Sequence, residues 1–399
     1  MSGHFAVDHF SGLMPALYPL LVATQGLTVS QIGLVAAAYQ STLSLTQPFF
    51  GYLVDRVGTR WLSGLAVLWM ACAFAALGWV RDFPMLVLLA AAAGLGSGAY
   101  HPMGAMNAAL VIDSRQRNTA MSLYTLGGTG GVAIGPVVGA AVMGALGKEA
   151  TLLLAAPALL IGLWLLVEMR AVERQTRGRP AAGAPAAVAR PGDYGALARI
   201  VAALMIRSSG YMALTTFLTV WFQQLGYEPG FYSVILTLLL ASAVAGVFAG
   251  GLLADRLGRR RVMLAALFAL GPLMLLFVQN VTAPPLVVAL LAVAAGLVAD
   301  APFPLALVTA QRLIPGRVGM ASGLILGFTF SAGGFGAFLV GQLASQVGLT
   351  AALSAAAALP LIAALLFLTI PADIVAGRET PGVGGHGAGV RDQGAGARG

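Results

Sequence analysis

The sequence predicts an all-α membrane protein of twelve transmembrane helices, arranged as two six-helix, pseudo-symmetric bundles. Three observations predict it. Of 399 residues, 59% are hydrophobic and only 9% charged, too few charges to clothe a water-soluble chain, and the long uncharged runs each reach about the 20 residues that cross a bilayer. Arginines gather in alternate interhelical loops. A charged turn motif recurs 200 residues downstream of its first copy.

Each apolar run gives one helix. They are expected at 3–23, 29–54, 62–80, 84–112, 119–145 and 150–169, then at 197–224, 230–254, 262–280, 284–311, 319–346 and 350–370. Strands do not fit, because membrane β-barrels are built from short alternating segments of about 10 residues. The first run lacks a basic leader and is interrupted by His4 and Asp8. It therefore reads as a retained span and not a signal peptide. The lone Cys72 excludes a disulfide framework and reads as a buried small hydrophobe.

The net charge of +8 is topological. Arg56 and Arg60, Arg115 and Arg117, Arg170 to Arg199, Arg256 to Arg261, and Arg312 and Arg317 fall in one set of loops; the other set holds Arg81 and Lys148, each beside an acid. The positive-inside rule puts both termini and the middle loop in the cytoplasm of a bacterial-type inner membrane. A basic face on a folded domain is missing, so nucleic acid is not expected as a partner. Residues 1–169 form the first bundle, 170–196 a linker rich in Arg, Pro, Ala and Gly, 197–370 the second bundle, and 371–399 a Gly-rich tail read as disordered, with His386 as a solvated residue in it.

The repeat is the most specific signal. Gly51, Asp55, Arg56, Gly58 and Arg60 recur as Gly251, Asp255, Arg256, Gly258 and Arg260. Glycine permits close helix approach, and an acid beside arginines can bond a neighbouring helix end, latching one conformation and releasing another. Duplication at matched positions favours this gating role over plain stop-transfer charge.

Twelve spans in two repeats, with G-x-x-x-D-R-x-G-x-R after spans two and eight, resemble the major facilitator superfamily of secondary transporters. The resemblance implies a central cavity that opens alternately to each side, with the site near the bilayer midplane. In span five, Gly131, Gly135, Pro136 and Gly139 match a pattern that the resemblance links to exporters; close packing of two helices explains the same residues. Three further stretches, GHFAVDHFSGLMPALYPLL, YHP and AQRLIPGRVGMASGLILGFTFSAGGFGA, resemble the fosmidomycin-resistance branch, which implies export of small drugs or metabolites in exchange for protons. Met103 stands where that branch carries an acid.

Polar residues inside spans are costly and mark function. The acids well inside are Asp8 and Asp300, and the base is Arg207. Arg207 lies near the midplane. Either it binds an anionic substrate group, with Tyr211 one turn on offering a hydroxyl, or it pairs with Asp300, beside which Pro302 and Pro304 break the helix. His4 and Asp8, four apart, share a helix face with Ser11 and suit proton loading; capping at the membrane surface is the competing reading, and His9 reads as interfacial. In span four, Ser97, His101, Gly104 and Ala108 form one stripe, and His101 either joins the proton site or donates to a backbone carbonyl.

No metal, cofactor or enzymatic activity is expected. His4, Asp8 and His9 lack a Cys or carboxylate set beside them, GLGSG departs from G-x-S-x-G at Leu95, and no nucleotide-binding lysine motif is present. The expected function is a monomeric, proton-coupled antiporter exporting small anionic or amphiphilic compounds by alternating access, with protons and membrane lipid as its other partners. The alternative is an importer or uniporter of an organic acid on the same fold.

Overall fold

The structure is a computed structural model that describes residues 1–57, 61–111, 117–176, 194–313 and 318–376. Among these residues the elements are helical. The first half contains α1 (Ser2–Gln25), α2 (Val29–Val57), α3 (Leu62–Leu77), α4 (Phe83–Val111), α5 (Arg117–Leu146) and, after a single 3-10 turn, α6 (Thr151–Thr176). The second contains α7 (Tyr194–Gln224), α8 (Pro229–Leu257), α9 (Arg259–Gln279), α10 (Pro285–Ala299), α11 (Pro302–Leu313), α12 (Val318–Val347), α13 (Leu349–Ala356), α14 (Leu359–Leu368) and the short α15 (Ala372–Ala376). Ten described segments are long and apolar enough to cross a membrane, and α3 is a shorter apolar helix. Helices are the expected answer to a solvent without hydrogen bonds, since each satisfies its own backbone.

Packing repeats between the halves. α1 lies on α5, α2 on α4 and α3 on α6; in the second half α7 lies on α12, α8 on α10 and α9 on α14. The halves themselves meet along α2 with α12 and α5 with α8, again an equivalent pair of contacts. The α2–α12 seam is closest towards one end of the bundle. There Gly341 lies against Val29 and Ser30, Gly33 against Ala337 and Phe338, and Gly334 against Ala37. At the same end Thr219 Oγ1 of α7 donates to the Pro15 carbonyl of α1.

Two spans are broken. Span ten stops at Ala299 and resumes at Pro302, as Pro302 and Pro304 predict. Span twelve divides between Ala356 and Leu359, which the apolar run did not announce. Pro360 cannot donate to the turn before it, and methyls at Gly210 and Gly271 would press on the carbonyls of Ala356 and Ala357, at 2.8 and 2.7 Å. The flanking helices thus make room for the break.

Several expectations shift. α6 continues to Thr176 and α7 starts at Tyr194, so helix reaches into the segment 170–196 from both sides, while 177–193 and 377–399, with His386, lie outside the described residues. Residues 372–376 of the expected tail are helical. Cys72 is exposed and not buried. It shares the exposed face of α3 with Leu65 and Trp69, so an apolar sequence environment does not distinguish it from a core position.

Candidate functional site

The site begins with a close helix pair. Gly12 of α1 faces Gly135 of α5, and a methyl at Gly135 would fall 2.6 Å from the Gly12 backbone. Gly131 faces Phe5 and His9, and Gly139 faces Ala16 and Leu13, so the span-five glycines form the flat surface on which α1 lies. Pro136 continues inside α5 without ending it. One turn earlier, a side chain at Gly128 would collide with the Asp8 carboxylate and the His4 ring. Gly128 was not singled out in the sequence, although its spacing to Gly131 and Gly135 continues the same helical face.

Above that surface three side chains converge. His4 Nε2 lies 3.2 Å from Asp8 Oδ2, one helical turn apart on α1, and His101 Nε2 of α4 lies 3.3 Å from Asp8 Oδ1. The carboxylate is held from both oxygens by imidazoles. Side-chain exposures of 13% for His4, 15% for Asp8 and 22% for His101 leave the cluster largely desolvated yet reachable. Ser97, a turn before His101, has its Oγ 3.4 Å from His101 Nε2. Ser11, a neighbour of Asp8 on α1, bonds Tyr39 of α2 at 2.7 Å. His9 leaves this group: its Nδ1 sits 3.4 Å from the Gly131 carbonyl and its ring stacks on Phe5.

Among the described residues, His4, Asp8 and His101 are the group whose donor atoms, all within 4.8 Å of one another, approach the spacing of a metal site. Two imidazoles and a carboxylate suit an ion of the zinc type better than Mg2+ or Ca2+. In the geometry present, those atoms already lie against one another in ion-pair contacts.

The second cluster occupies the equivalent place in the other half. Arg207 of α7 donates to Asp300 Oδ1 at the α10 break. Its guanidinium also lies over the Tyr211 ring, 5.4 Å from the centroid. Arg207 is 3% exposed and Asp300 38%, so the acid, not the base, meets the open space. The Arg207 Nε and the Tyr211 hydroxyl are buried without partners. Chain positions tie the two clusters together. From Asp8 to Arg207 is 199 residues, and from His101 to Asp300 is also 199. Each half therefore joins its first helix to its fourth by one ionic pair, with the polarity reversed between halves.

The turn motifs are partly described. Gly58 and Arg60 lie outside the described residues, as do the side chains of Asp55 and Arg56, while Gly51 sits in α2 with Pro102 nearby. In the second copy Gly258 turns the chain from α8 into α9 at φ +89°, a conformation that favours glycine. Arg260 donates to the carbonyls of Leu368, at 3.0 Å, and Ile370, and Arg199 donates to Thr369 at 2.8 Å. Two arginines thereby hold the end of α14, where carbonyls lack helical partners. Asp255 and Arg256 are exposed.

The sequence profile of the Major Facilitator Superfamily matches residues 3–252 and 200–386. The chain belongs to the Major Facilitator Superfamily. It is 29% identical over 373 residues to the fosmidomycin resistance protein of Escherichia coli (strain K12), covering 91% of this chain and 89% of that protein. An uncharacterized MFS-type transporter of Bacillus subtilis (strain 168) is 30% identical over 387 residues, covering 93% and 91%. Among solved structures, a bacterial homolog of the human lysosomal transporter Spinster superposes with a TM-score of 0.78 at 15% identity, over 96% of this chain and 97% of that one. A D-xylose-proton symporter superposes at 0.74 with 14% identity, over 95% and 97%. These superpositions place the fold. The protein is a multi-pass membrane transporter of a small-molecule substrate, and not an enzyme.

Proposed function

We propose that this transporter is a proton-coupled antiporter of the bacterial inner membrane, with both termini cytoplasmic, exporting small drugs or metabolites by alternating access. One observation carries the reading: Asp8 sits between two imidazoles, one from its own helix and one from α4, in a largely desolvated pocket. A carboxylate there is charged only while a proton on an imidazole or the field of the cavity compensates it. Proton loading therefore changes the attraction between α1 and α4. Of the ionisable side chains, histidine is the one whose unperturbed charge change falls in the physiological range, which suits it to a proton-loading site.

Arg207 and Asp300 form the fixed counterpart. Arginine does not lose its proton in proteins, so it offers Asp300 a constant partner while the first pair cycles. Similarity over most of the chain to a fosmidomycin resistance protein supports export as the direction. The duplicated turns serve as gates, Arg260 gripping the end of α14 in the state described.

Expression in an efflux-deficient bacterial host tests the reading. The wild-type chain is expected to raise the inhibitory concentration of one or more compounds in a panel that includes fosmidomycin, and Asp8→Asn to remove that protection at equal membrane abundance. Protection by Asp8→Asn equal to wild type would sink the coupling role. Sensitisation of the host by the wild-type chain would favour an importer instead.

A further inference from the structure

The substrate-facing chemistry of the second half differs from what an arginine in a span suggests. Arg207 is sealed at 3% exposure, and its NH2 group is committed to Asp300. Its Nε is buried without a hydrogen-bond partner among the described residues. Little of the guanidinium is offered to a ligand. The exposed member of the pair is Asp300, at 38%, whose Oδ1 is engaged and whose Oδ2 has no hydrogen bond among the described residues.

The backbone adds to that negative end. α10 stops at Ala299, and Pro302 has no N–H to give to the Val298 carbonyl one turn back. The Phe303 N–H instead turns onto the Asp300 carbonyl at 3.0 Å. The last turn of α10 thus keeps carbonyls without helical partners and the negative pole of its dipole beside the carboxylate. Broken helices at midplane depth commonly direct such carbonyls at cations. Three residues beyond Asp300, Phe303 pairs with Phe330 of α12 at 5.5 Å between centroids, both only partly buried. Aromatic faces attract organic cations and accept their hydrocarbon parts.

We propose that the free side of Asp300, backed by the broken end of α10 and flanked by Phe303 and Phe330, binds the cationic group of an amphiphilic substrate, an organic ammonium. This rests on the transporter reading and names its substrate class. Arg207 acts as a positioning residue, holding one carboxylate oxygen so that the other is presented.

Binding to purified protein in detergent, without any gradient, tests it. The probes are a benzyl-trialkylammonium, its neutral tert-alkyl isostere and a phosphonate on the same benzyl skeleton, read by calorimetry. The ammonium is expected to bind at least tenfold tighter than either companion, and Phe303→Ala to weaken it about threefold to tenfold. Asp300→Asn leaves a buried arginine alone and can unfold the protein, so the paired variant Arg207→Gln with Asp300→Asn removes both charges. That variant is expected to lose the ammonium preference. Binding of the ammonium by the paired variant at wild-type strength, tighter binding of the phosphonate, or no ammonium binding at all would overturn the proposal. None of these readouts uses proton flux, so failure here and failure of Asp8 coupling are separate results.

Discussion

Arg207 and Asp300 form one ionic pair within the spans, yet removing one or the other carries different costs. Asp300 is open enough for water to reach it, whereas Arg207 is not. Leaving a buried charge unpaired costs about 3–5 kcal/mol. Asp300→Leu should therefore destabilise the protein more than Arg207→Leu, and the double substitution should recover much of the loss. Unfolding midpoints of the three variants check this; equal losses for both singles would show that the burial difference is unimportant. A second consequence concerns Gly128. A methyl there would displace Asp8 and His4 from their contact, so Gly128→Ala should slow exchange while the ammonium affinity of the Asp300 site stays unchanged.

Helix packing carries the next level. α1 is held to α5 by glycine faces, so His4 and Asp8 are placed by backbone contact and not by long side chains. Gly12→Val puts a branched side chain against the Val132 carbonyl and should cost roughly 1–3 kcal/mol, the range for overpacking. Gly144→Val on the same α5 meets open space and should be close to neutral. Thermal unfolding of both variants compares them directly, and equal midpoints would contradict the packing account. The reversed polarity of the two ionic pairs belongs at this scale as well. Both link the first helix of a half to its fourth, but one is built on histidine, which can exchange its proton, and the other on arginine, which does not.

At the scale of the molecule, the halves touch most closely along α2 and α12 at the end where α1 turns into α2. Alternating access requires that seam to part. With Cys72 replaced by serine, Ser30→Cys with Gly341→Cys places two thiols across it, where a methyl at Gly341 lies 3.4 Å from the Ser30 Cα. Oxidation should stop transport and reductant restore it; undiminished transport by the fully cross-linked protein would mean that this seam stays shut throughout the cycle.

Much of this architecture was legible from the chain. Span-length apolar runs, arginine-bearing alternate loops and a motif repeated at 200 residues determine helix count and pseudo-symmetry with little help from packing. The His4–Asp8 contact is local, four residues on one helix, and Arg207 with Asp300 could be paired because so few charges lie inside spans. The contact of His101 with Asp8 bridges two helices, and helix rotation decides it. Which member of the second pair is exposed was hidden for the same reason. The exposed Cys72 shows the general difficulty: lipid tails are as apolar as a protein core, so hydropathy does not separate outward from inward faces.

The central claim is that Asp8 couples substrate movement to protons. Reconstituted liposomes carrying a pH-sensitive dye, given an outward gradient of a compound that the protein exports from cells, measure this directly. Proton movement opposite to the compound, absent with Asp8→Asn although the compound still binds, is the expected result; substrate flux without proton movement in the wild-type protein, or unchanged proton movement in Asp8→Asn, would contradict it.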